Sequence, residues 1–184
     1  MCGIVGFINC GNEKELTKAV SVIKHRGPDY QGVNWFGSHK SGLGHARLSI
    51  IDLSDDGNQP MYDKNTGNWI VFNGEVYNYQ EIRSELSKLG HEFYSNTDTE
   101  VVLKAFGHWG KEAISRFNGM FSFGIYNEKF GDLFVCRDRL GIKPLYYFHN
   151  NEQLIFASEI KSILECATYK KEPDYYALQT PVHF

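Results

Sequence analysis

The sequence lacks the features that mark several common classes of protein. It has no excess of positive charge, because 19 Lys and Arg side chains stand against 22 Asp and Glu side chains and the net charge is -3. A nucleic-acid-binding surface is normally basic, so this balance argues against one. No apolar run approaches the roughly 18 residues of a membrane-spanning helix, and no basic stretch followed by an apolar segment marks a signal peptide. We therefore expect no nucleic acid and no membrane among its partners.

Cysteine and histidine are present, but without the spacings that mark disulfide frameworks or metal sites. The four cysteines, Cys2, Cys10, Cys136 and Cys166, include no CxxC pair, which favours reduced thiols in a cytoplasmic protein. The histidines, His45 among them, form neither an HExxH motif nor a facial triad. We interpret them as loop or surface residues and expect no metal site.

The pattern of apolar residues predicts short strands and helices in groups instead of strict alternation. Helices are predicted over residues 13–24, 79–89 and 159–165, and a further helix begins near Asp98, where Thr97 and Glu100 have the spacing of a capping box. Strands are predicted over residues 3–9, 32–36, 41–51, 68–73, 120–126, 133–138, 145–148 and 153–157. This grouping favours an α+β fold, in which antiparallel sheets carry helices outside, over a doubly wound parallel sheet.

Cys2, which directly follows Met1, is the first candidate for catalysis. Methionine is generally removed before a small residue, so we expect the mature chain to begin with a cysteine that carries a thiol and a free α-amine. The reference pKa values, ~8.5 for the thiol and ~7.7–8.0 for the amine, allow the amine to accept the thiol proton near neutral pH. A nucleophile and its base would then lie in one residue. On these two residues alone, a chance cysteine is the simpler interpretation.

Asn73, Gly74 and Glu75 lie where the predicted strand over residues 68–73 gives way to a loop. Attack of a thiol on an amide requires an oxyanion hole, which is typically built from a side-chain amide and a backbone N–H group. Asn73 offers the amide donor, and Gly74 permits a close backbone approach. An ordinary Asn-Gly turn is the simpler alternative at this point.

Arg47 and Asp98 could hold the two charged groups of a free amino acid. Arginine suits bidentate binding of a planar carboxylate, and an aspartate could bind the ammonium group. Each side chain also has a purely structural alternative, which is a surface arginine on an edge strand in the first case and a helix N-cap in the second. Neither residue decides between these interpretations alone.

Six segments, in this order along the chain, resemble the glutaminase domain of class II glutamine amidotransferases. They cover residues 1–4, 25–29, 45–50, 73–78, 97–100 and 137–146. Residues 47–50, 140–146 and 157–161 look more like the glutamine-hydrolysing asparagine synthetases than like the amidotransferases that form glucosamine phosphate or phosphoribosylamine. The resemblance covers residues 2–166 and implies a glutamine amidotransferase type 2 domain over that range.

The resemblance also implies a fold and a set of roles. The fold is that of the N-terminal-nucleophile hydrolases, an αββα sandwich of two antiparallel sheets between helical layers. Residues 25–29 match a loop near the nucleophile, for which a structural role is implied. The site positions that match are Cys2 for the nucleophile, Asn73 and Gly74 for the oxyanion hole, Arg47 for the α-carboxylate of glutamine, Asp98 with the Gly74 and Glu75 backbone for its α-ammonium group, and Leu48 and Ile50 for the pocket wall.

In that family a much larger synthetase domain follows the glutaminase domain. Residues 167–184 look like a linker or a frayed C-terminal segment, and we expect no synthetase domain within this chain. The resemblance therefore implies no cofactor in the domain itself, and ATP and Mg²⁺ only where a synthetase domain exists elsewhere. Such a domain or subunit is the implied acceptor of ammonia. The sequence does not fix the oligomeric state, and a homodimer is one state that it allows.

Three functions are compatible with these residues. The first is an enzyme that hydrolyses L-glutamine to glutamate and ammonia through a thioester at Cys2, with the ammonia supplied to an asparagine-synthetase-type domain. The second is a catalytically silent module that binds glutamine or another protein. The third is another N-terminal-nucleophile hydrolase, which cleaves a peptide or a penicillin-like amide. Every expected catalytic position is occupied, which favours the enzyme, and the pairing of Arg47 with Asp98 favours a free amino acid as its substrate.

Overall fold

Two antiparallel β-sheets form the framework of residues 1–50 and 52–168, which are the residues that the structure, a computed structural model, describes. In chain order, the elements are β1 (Gly3–Ile8), α1 (Glu13–Ser21), β2 (Tyr30–Phe36), β3 (Ser41–Arg47), β4 (Met61–Asp63), β5 (Asn68–Val76), α2 (Tyr79–Lys88), α3 (Asp98–Trp109), α4 (Ala113–Arg116), β6 (Gly119–Asn127), β7 (Asp132–Arg137), β8 (Tyr146–Asn150), β9 (Gln153–Ala157) and α5 (Ile160–Ile163). The first sheet has the strand order β2-β3-β1-β9-β8, and the second has the order β4-β5-β6-β7.

Helices cover the outer face of each sheet. α1 packs on β1, β2 and β3, and α5 packs on β8 and β9, so both helices lie on the first sheet. α3 packs on β4 and β5 of the second sheet, and α2 lies beside α3. The layers therefore follow the order helix, sheet, sheet, helix, and the predicted αββα sandwich is confirmed.

A close contact in the core holds the two sheets together. The ring of Phe156 on β9 lies over Gly6 of β1 and faces Gly124 of β6, which belongs to the other sheet. A Cβ atom added at Gly6 would lie 2.0 Å from this ring, and one added at Gly124 would lie 2.4 Å from it. Non-bonded carbon atoms pack at about 3.5–4.0 Å. The ring of Phe156 therefore needs glycine at both positions.

Hydrogen bonds between its first turn and the residues before it fix the beginning of α3. Thr97 Oγ1 accepts from the Glu100 N–H at 3.2 Å, which is one half of the predicted capping box. The other half does not form, because the buried Glu100 carboxylate accepts instead from the backbone N–H groups of Tyr94 and Ser95. These bonds hold the loop that leads into Asp98.

Several predicted boundaries are wrong. β3 ends at Arg47 instead of continuing through residue 50, because the chain turns there to surround the Arg47 guanidinium, and residue 51 lies outside the described residues. β5 continues to Val76, beyond the predicted end at Asn73. α1 ends at Ser21, α5 is shorter than predicted, and the sequence pattern does not predict β4 or α4.

The predicted C-terminal segment lies largely beyond the described part of the chain. Of residues 167–184, positions 169–184 are outside the described residues. Within residues 1–50 and 52–168, no helix combines the length and the apolar composition that crossing a membrane requires.

Candidate active site

A cavity of about 250 Å³ lies where the beginning of β1, the end of β3, the middle of β5 and the beginning of α3 meet. The structure brings together around it every site residue predicted from the sequence. These are Cys2, Arg47, Leu48, Ile50, Asn73, Gly74, Glu75 and Asp98. Residues that are far apart in the sequence therefore form one site.

The Cys2 thiol contacts the backbone of the segment that follows β3. Its Sγ accepts from the Leu48 N–H at 3.5 Å and donates to the Leu48 carbonyl oxygen at 3.7 Å. Burial raises the pKa of the thiol, although the Leu48 N–H, the N-terminal charge and Arg47 act in the opposite direction. A thiol with a raised pKa needs a base to become a nucleophile.

A second contact holds the backbone of Cys2 and comes from the loop over residues 25–29, for which the resemblance implies a structural role. Arg26 Nε donates to the Cys2 carbonyl oxygen at 2.9 Å, and Arg26 Nη1 donates to Glu159 at 3.2 Å. His25 also bonds to Glu159 at 2.8 Å. Burial alone would raise the pKa of Glu159, but hydrogen bonds from Lys161, His25 and Arg26 lower it to about 2. The loop that contains Arg26 thus anchors the residue that carries the thiol.

The edge of β5 that faces away from β6 presents alternate backbone groups to the cavity. In an antiparallel pair, alternate residues direct both their N–H and their C=O toward the partner strand. The register with β6 directs Asn73 and Glu75 toward β6, as the Tyr77 N–H bond to the Asn118 carbonyl also shows. Gly74 therefore directs its N–H and its C=O to the outward edge.

Side chains accept hydrogen bonds from the two outward N–H groups of β5 on either side of Gly74. The Phe72 N–H donates to Gln59 Oε1 at 2.6 Å, and the Val76 N–H donates to Asp98 Oδ2 at 3.0 Å. The Gly74 N–H lies between these two bonds and faces the cavity that Gly74 lines. It is a backbone donor that faces the same cavity as the Cys2 thiol.

The Asn73 side chain supplies a second donor. Asn73 is 1% exposed, and its Nδ2 has no hydrogen-bond partner among the described residues. A buried donor without a partner costs about 1–3 kcal/mol, which a ligand that accepts from it would recover. A Cβ atom at Gly74 would lie 2.4 Å from the Met120 carbonyl oxygen, so the adjacent position has to be glycine.

The position of Asn73 and Gly74 corrects the sequence analysis. Both residues lie inside β5, not at the transition from a strand to a loop. The alternative of an ordinary Asn-Gly turn is therefore wrong. The strand continues because residues 73–76 pair with residues 119–122 of β6.

Arg47 is buried at the end of β3 and is held by the loop that follows it. Its Nη1 donates to the Ser54 carbonyl oxygen at 2.8 Å and to Asn58 Oδ1 at 2.7 Å, and its Nη2 donates to the Asp52 carbonyl oxygen. These neutral acceptors use three of the five guanidinium N–H groups, and no ion pair to Arg47 exists among the residues that the structure describes. β3 is an inner strand, so the alternative of a surface arginine on an edge strand is wrong.

Asp98 is the first residue of α3 and is 4% exposed. The N-cap is Thr97, so the alternative that Asp98 is only a cap is wrong. Burial raises the pKa of Asp98 to about 6, against the opposing effect of N–H bonds from Val76 and Thr99. No ion pair to Asp98 exists within the described part of the chain. A cationic ligand would therefore favour its charged form.

The other predicted site residues contribute in different ways. Leu48 is half-buried beside the thiol, and Ile50 is exposed at the rim of the cavity. Glu75 is exposed, and its backbone carbonyl faces β6. Of the Gly74–Glu75 backbone, only Gly74 directs its carbonyl oxygen to the outward edge.

His45 does not lie in a loop or at the surface, as the sequence analysis expected. It is fully buried in β3, and its Nε2 lies 3.2 Å from the Phe72 carbonyl oxygen. Burial lowers the pKa of His45 to about 3, so the ring is neutral at physiological pH. Because a carbonyl oxygen only accepts, Nε2 carries the proton and donates it to this bond.

Sequence analysis also missed several residues that line the cavity, including Gln59, Met120 and Lys143. Met120 pairs with Glu75 across β5 and β6. A correct prediction of this strand register would therefore have placed Met120 beside the predicted site residue Glu75. No periodic pattern marks Gln59. Among the described residues, no cluster of three or more His, Cys, Asp or Glu side chains could hold a metal ion.

Comparisons with known proteins point to the same family as the geometry. The family model of the glutamine amidotransferase domain matches residues 1–184. Asparagine synthetase [glutamine-hydrolyzing] 1 of Bacillus subtilis is 44% identical over 191 residues, which span 100% of this chain and 30% of that protein. Amidase chry2 of Gibberella zeae is 40% identical over 190 residues, which span 95% of this chain and 28% of that protein. This chain thus spans less than a third of the length of either relative.

A solved structure shares the fold at low sequence identity. Glutamine phosphoribosylpyrophosphate amidotransferase of Bacillus subtilis, complexed with ADP and GMP, has a TM-score of 0.74 and 21% identity to this chain. The match covers 88% of this chain and 43% of that one, and it concerns the fold alone. The family model spans the whole chain, so the resemblance of its six segments to amidotransferases is confirmed. This chain belongs to the glutamine amidotransferase domain family.

Proposed function

We propose that this chain hydrolyses the side-chain amide of L-glutamine to give L-glutamate and ammonia. One observation carries the proposal: a thiol, an unpartnered amide donor and two buried side chains of opposite charge surround the same cavity. Free glutamine carries a carboxylate for Arg47, an ammonium group for Asp98 and an amide carbonyl for Asn73. The three groups of the ligand therefore match a buried cation, a buried carboxylate and a buried amide donor that surround one cavity.

In the mature chain, the Cys2 α-amine accepts the thiol proton, and the thiolate attacks the amide carbon of glutamine. The carbonyl oxygen becomes an oxyanion and accepts hydrogen bonds from Asn73 Nδ2 and the Gly74 N–H. As the C–N bond breaks, the protonated α-amine gives its proton to the leaving nitrogen, which departs as ammonia. A glutamyl thioester on Cys2 remains.

Water completes the reaction at the same residue. The Cys2 α-amine takes a proton from a water molecule as the water oxygen attacks the thioester carbon. The C–S bond then breaks, glutamate leaves, and the proton returns from the α-amine to the thiolate. One water molecule is consumed, and the balance requires no cofactor in this domain.

Arg47 and Asp98 orient the substrate from its α-carbon end. The two guanidinium N–H groups without an acceptor among the described residues would bind the carboxylate, and the Asp98 carboxylate would bind the ammonium group. The Gly74 carbonyl oxygen on the outward edge of β5 offers the ammonium group a further acceptor. Asparagine, one methylene shorter, would hold its amide away from the thiol, and small displacements of reacting groups can cost ~10²-fold in rate.

Glutamate release by protein without Met1, verified by intact mass spectrometry, tests the proposal. Glutamine should be hydrolysed, asparagine should react poorly, and Cys2→Ala should abolish the activity without unfolding the chain. Cys136→Ala is the matched control, because Cys136 lies on β7 outside the cavity wall and its loss should leave the rate unchanged. An inactive processed wild type, or an active Cys2→Ala variant, would refute the proposal.

We also propose that a synthetase domain or subunit receives the ammonia in the cytoplasm. The Bacillus subtilis relative is named as a glutamine-hydrolysing asparagine synthetase and is much longer than this chain. ATP and Mg²⁺ would belong to that part. The free cysteines suit a reducing compartment. The test is asparagine formation by the full gene product with glutamine as the nitrogen source; glutamate release without asparagine would reject this acceptor alone.

A further inference from the structure

We propose that Gln59 is a positioning residue that holds the oxyanion donors of β5 in register with the beginning of α3. The inference rests on the proposed hydrolysis of glutamine. It adds a residue that lies outside the six segments that carry the family resemblance. Gln59 is 5% exposed and lines the cavity, although no step of the reaction uses it directly.

The oxygen and the nitrogen of the Gln59 side-chain amide each make a hydrogen bond, and each bond is to a different element. Its Oε1 accepts from the Phe72 N–H of β5 at 2.6 Å. Its Nε2 donates to Thr99 Oγ1, one residue beyond Asp98 in α3, at 3.1 Å. Both partners are buried, so the bonds are shielded from water. The side chain therefore bridges the strand and the helix at a fixed length.

The bridge lies where β5, within the described part of the chain, has no neighbouring strand at Phe72 on its outward side. β4 pairs only with residues 68–70. Beyond them, two side chains replace the missing strand: Gln59 accepts from the Phe72 N–H, and His45 Nε2 donates to the Phe72 carbonyl oxygen. They hold the backbone that leads directly into Asn73.

The oxyanion donors lie between two connections from β5 to α3. One is the Phe72–Gln59–Thr99 bridge, and the other is the bond from the Val76 N–H to Asp98 at 3.0 Å. The Gly74 N–H lies midway between them. Loss of the first connection would leave the Val76–Asp98 bond as the remaining one of these two hydrogen-bonded connections, so that the backbone at Phe72 and Asn73 could shift relative to α3.

The expected effect follows from the geometry that an oxyanion hole requires. Donors have to lie about 2.7–3.1 Å from the oxyanion, and a displacement of about 1 Å can cost ~10²-fold in rate. Gln59→Met keeps the length of the side chain and removes both bonds. We expect it to lower kcat for glutamine by roughly 10–100-fold. KM should change by less than about threefold, because Arg47 and Asp98 still bind the ground state.

Variants of Thr99 separate the bridge from a general effect of the Gln59 side chain. Thr99→Val removes only the α3 end of the bridge and should also lower kcat, whereas Thr99→Ser keeps the hydroxyl and should restore it. The double variant Gln59→Met with Thr99→Val should be no slower than Gln59→Met alone, because both changes break one connection. Wild-type kcat in both Gln59→Met and Thr99→Val would overturn the proposal.

Alkylation of Cys2 by iodoacetamide, measured by peptide mass, is the second readout. This reagent carries no α-carboxylate or α-ammonium group and does not need the oxyanion donors in register. Its rate at Cys2 should stay within about twofold of the wild type in every variant. A fall in alkylation that matches the fall in kcat would mean a lost thiol or fold and would also overturn the proposal. If wild-type protein releases no glutamate, the proposed function fails; if wild type and variants are equally active, only the role of Gln59 fails.

Discussion

Replacement of Asp98 by asparagine should stabilise the free chain and weaken its binding of glutamine. Asp98 is almost fully buried, and burial raises its pKa from 3.8 to about 6. Asparagine has nearly the same shape, and its amide oxygen can still accept from the Val76 N–H. The substitution therefore removes the charge and keeps the bond that joins α3 to β5.

The raised pKa determines the sign of the effect on stability. The difference of about two pKa units corresponds to about 3 kcal/mol of unfolding free energy. This contribution is fully present below pH 3.8, the ordinary value, and it is lost as the pH rises through about 6. Above pH 6, Asp98→Asn should therefore recover up to about 3 kcal/mol, because the variant buries no charge. In a chain of this length, that corresponds to an increase in Tm of up to roughly 10 °C.

Glutamine binding should respond in the opposite direction. The contact between the Asp98 carboxylate and the α-ammonium group is charge-assisted, and such bonds contribute about 1.5–3 kcal/mol. Its loss should raise KM by roughly 10–150-fold. In the wild type, KM should rise about tenfold per pH unit below the Asp98 pKa, because only the ionised carboxylate binds the cation. Asp98→Asn should lack this pH dependence.

Thermal unfolding and steady-state kinetics between pH 5 and pH 8 measure both effects. Asp138→Asn is the matched control for stability. Burial alone would raise the Asp138 pKa, but backbone N–H bonds from Lys143, Ile142 and Phe121 outweigh it and lower the pKa. Its removal should therefore lower Tm at neutral pH. A lower Tm for Asp98→Asn at pH 8, or an unchanged KM for glutamine, would refute the reasoning.

Three further predictions concern the same cavity. Protein that retains Met1 should release no glutamate, because an amide nitrogen is not a useful base; full activity in a sample whose intact mass includes Met1 would exclude the α-amine as the base. Gly74→Ala should lower kcat by roughly 10²-fold or more, because its Cβ atom would lie 2.4 Å from the Met120 carbonyl oxygen and would displace the backbone donor. Arg47→Lys keeps the charge but loses the planar fork, so KM for glutamine should rise about tenfold or more while hydrolysis of a short aliphatic amide stays unchanged. An equal loss for both substrates would assign Arg47 to the fold.

The layers of the fold could be predicted from the sequence because local patterns encode them. Period-2 alternation along residues 120–126 matches β6, one of the two inner strands of the second sheet, and the face formed by Leu16, Ala19 and Val20 packs α1 on the first sheet. Thr97 predicts the beginning of α3, because its hydroxyl oxygen can accept a hydrogen bond from an N–H group in the first turn of a helix. The residues of the cavity that belong to the six segments could also be predicted, because the family resemblance assigns them to specific positions in the sequence.

The missed features depend on contacts between distant residues, and no local pattern contains them. The end of β5 depends on pairing with residues 119–122 of β6. The Glu100 carboxylate does not complete the capping box, because it accepts hydrogen bonds from the loop that precedes α3. His45 has the polarity of a surface residue, but its partner at Phe72 belongs to the other sheet. Gln59 stands in an irregular segment, and its partners are 13 and 40 residues away.

The groups proposed to act on glutamine are divided between the two sheets. Cys2 and Arg47 belong to the beginning of β1 and the end of β3 in the first sheet, and Asn73 and Gly74 belong to β5 in the second. The distance from the nucleophile to the oxyanion donors is therefore a distance between sheets.

The contact of Phe156 with Gly6 and Gly124 consequently bears on chemistry as well as on packing. Protein interiors are close-packed and resist compression, so an aromatic ring between two bare backbones contributes to the distance between the sheets. A methyl group at either glycine would clash with this ring, and relief of the clash would change the packing between the sheet that carries the thiol and the sheet that carries the oxyanion donors. The geometry of the active site thus depends on packing in the middle of the core, at positions outside the cavity wall.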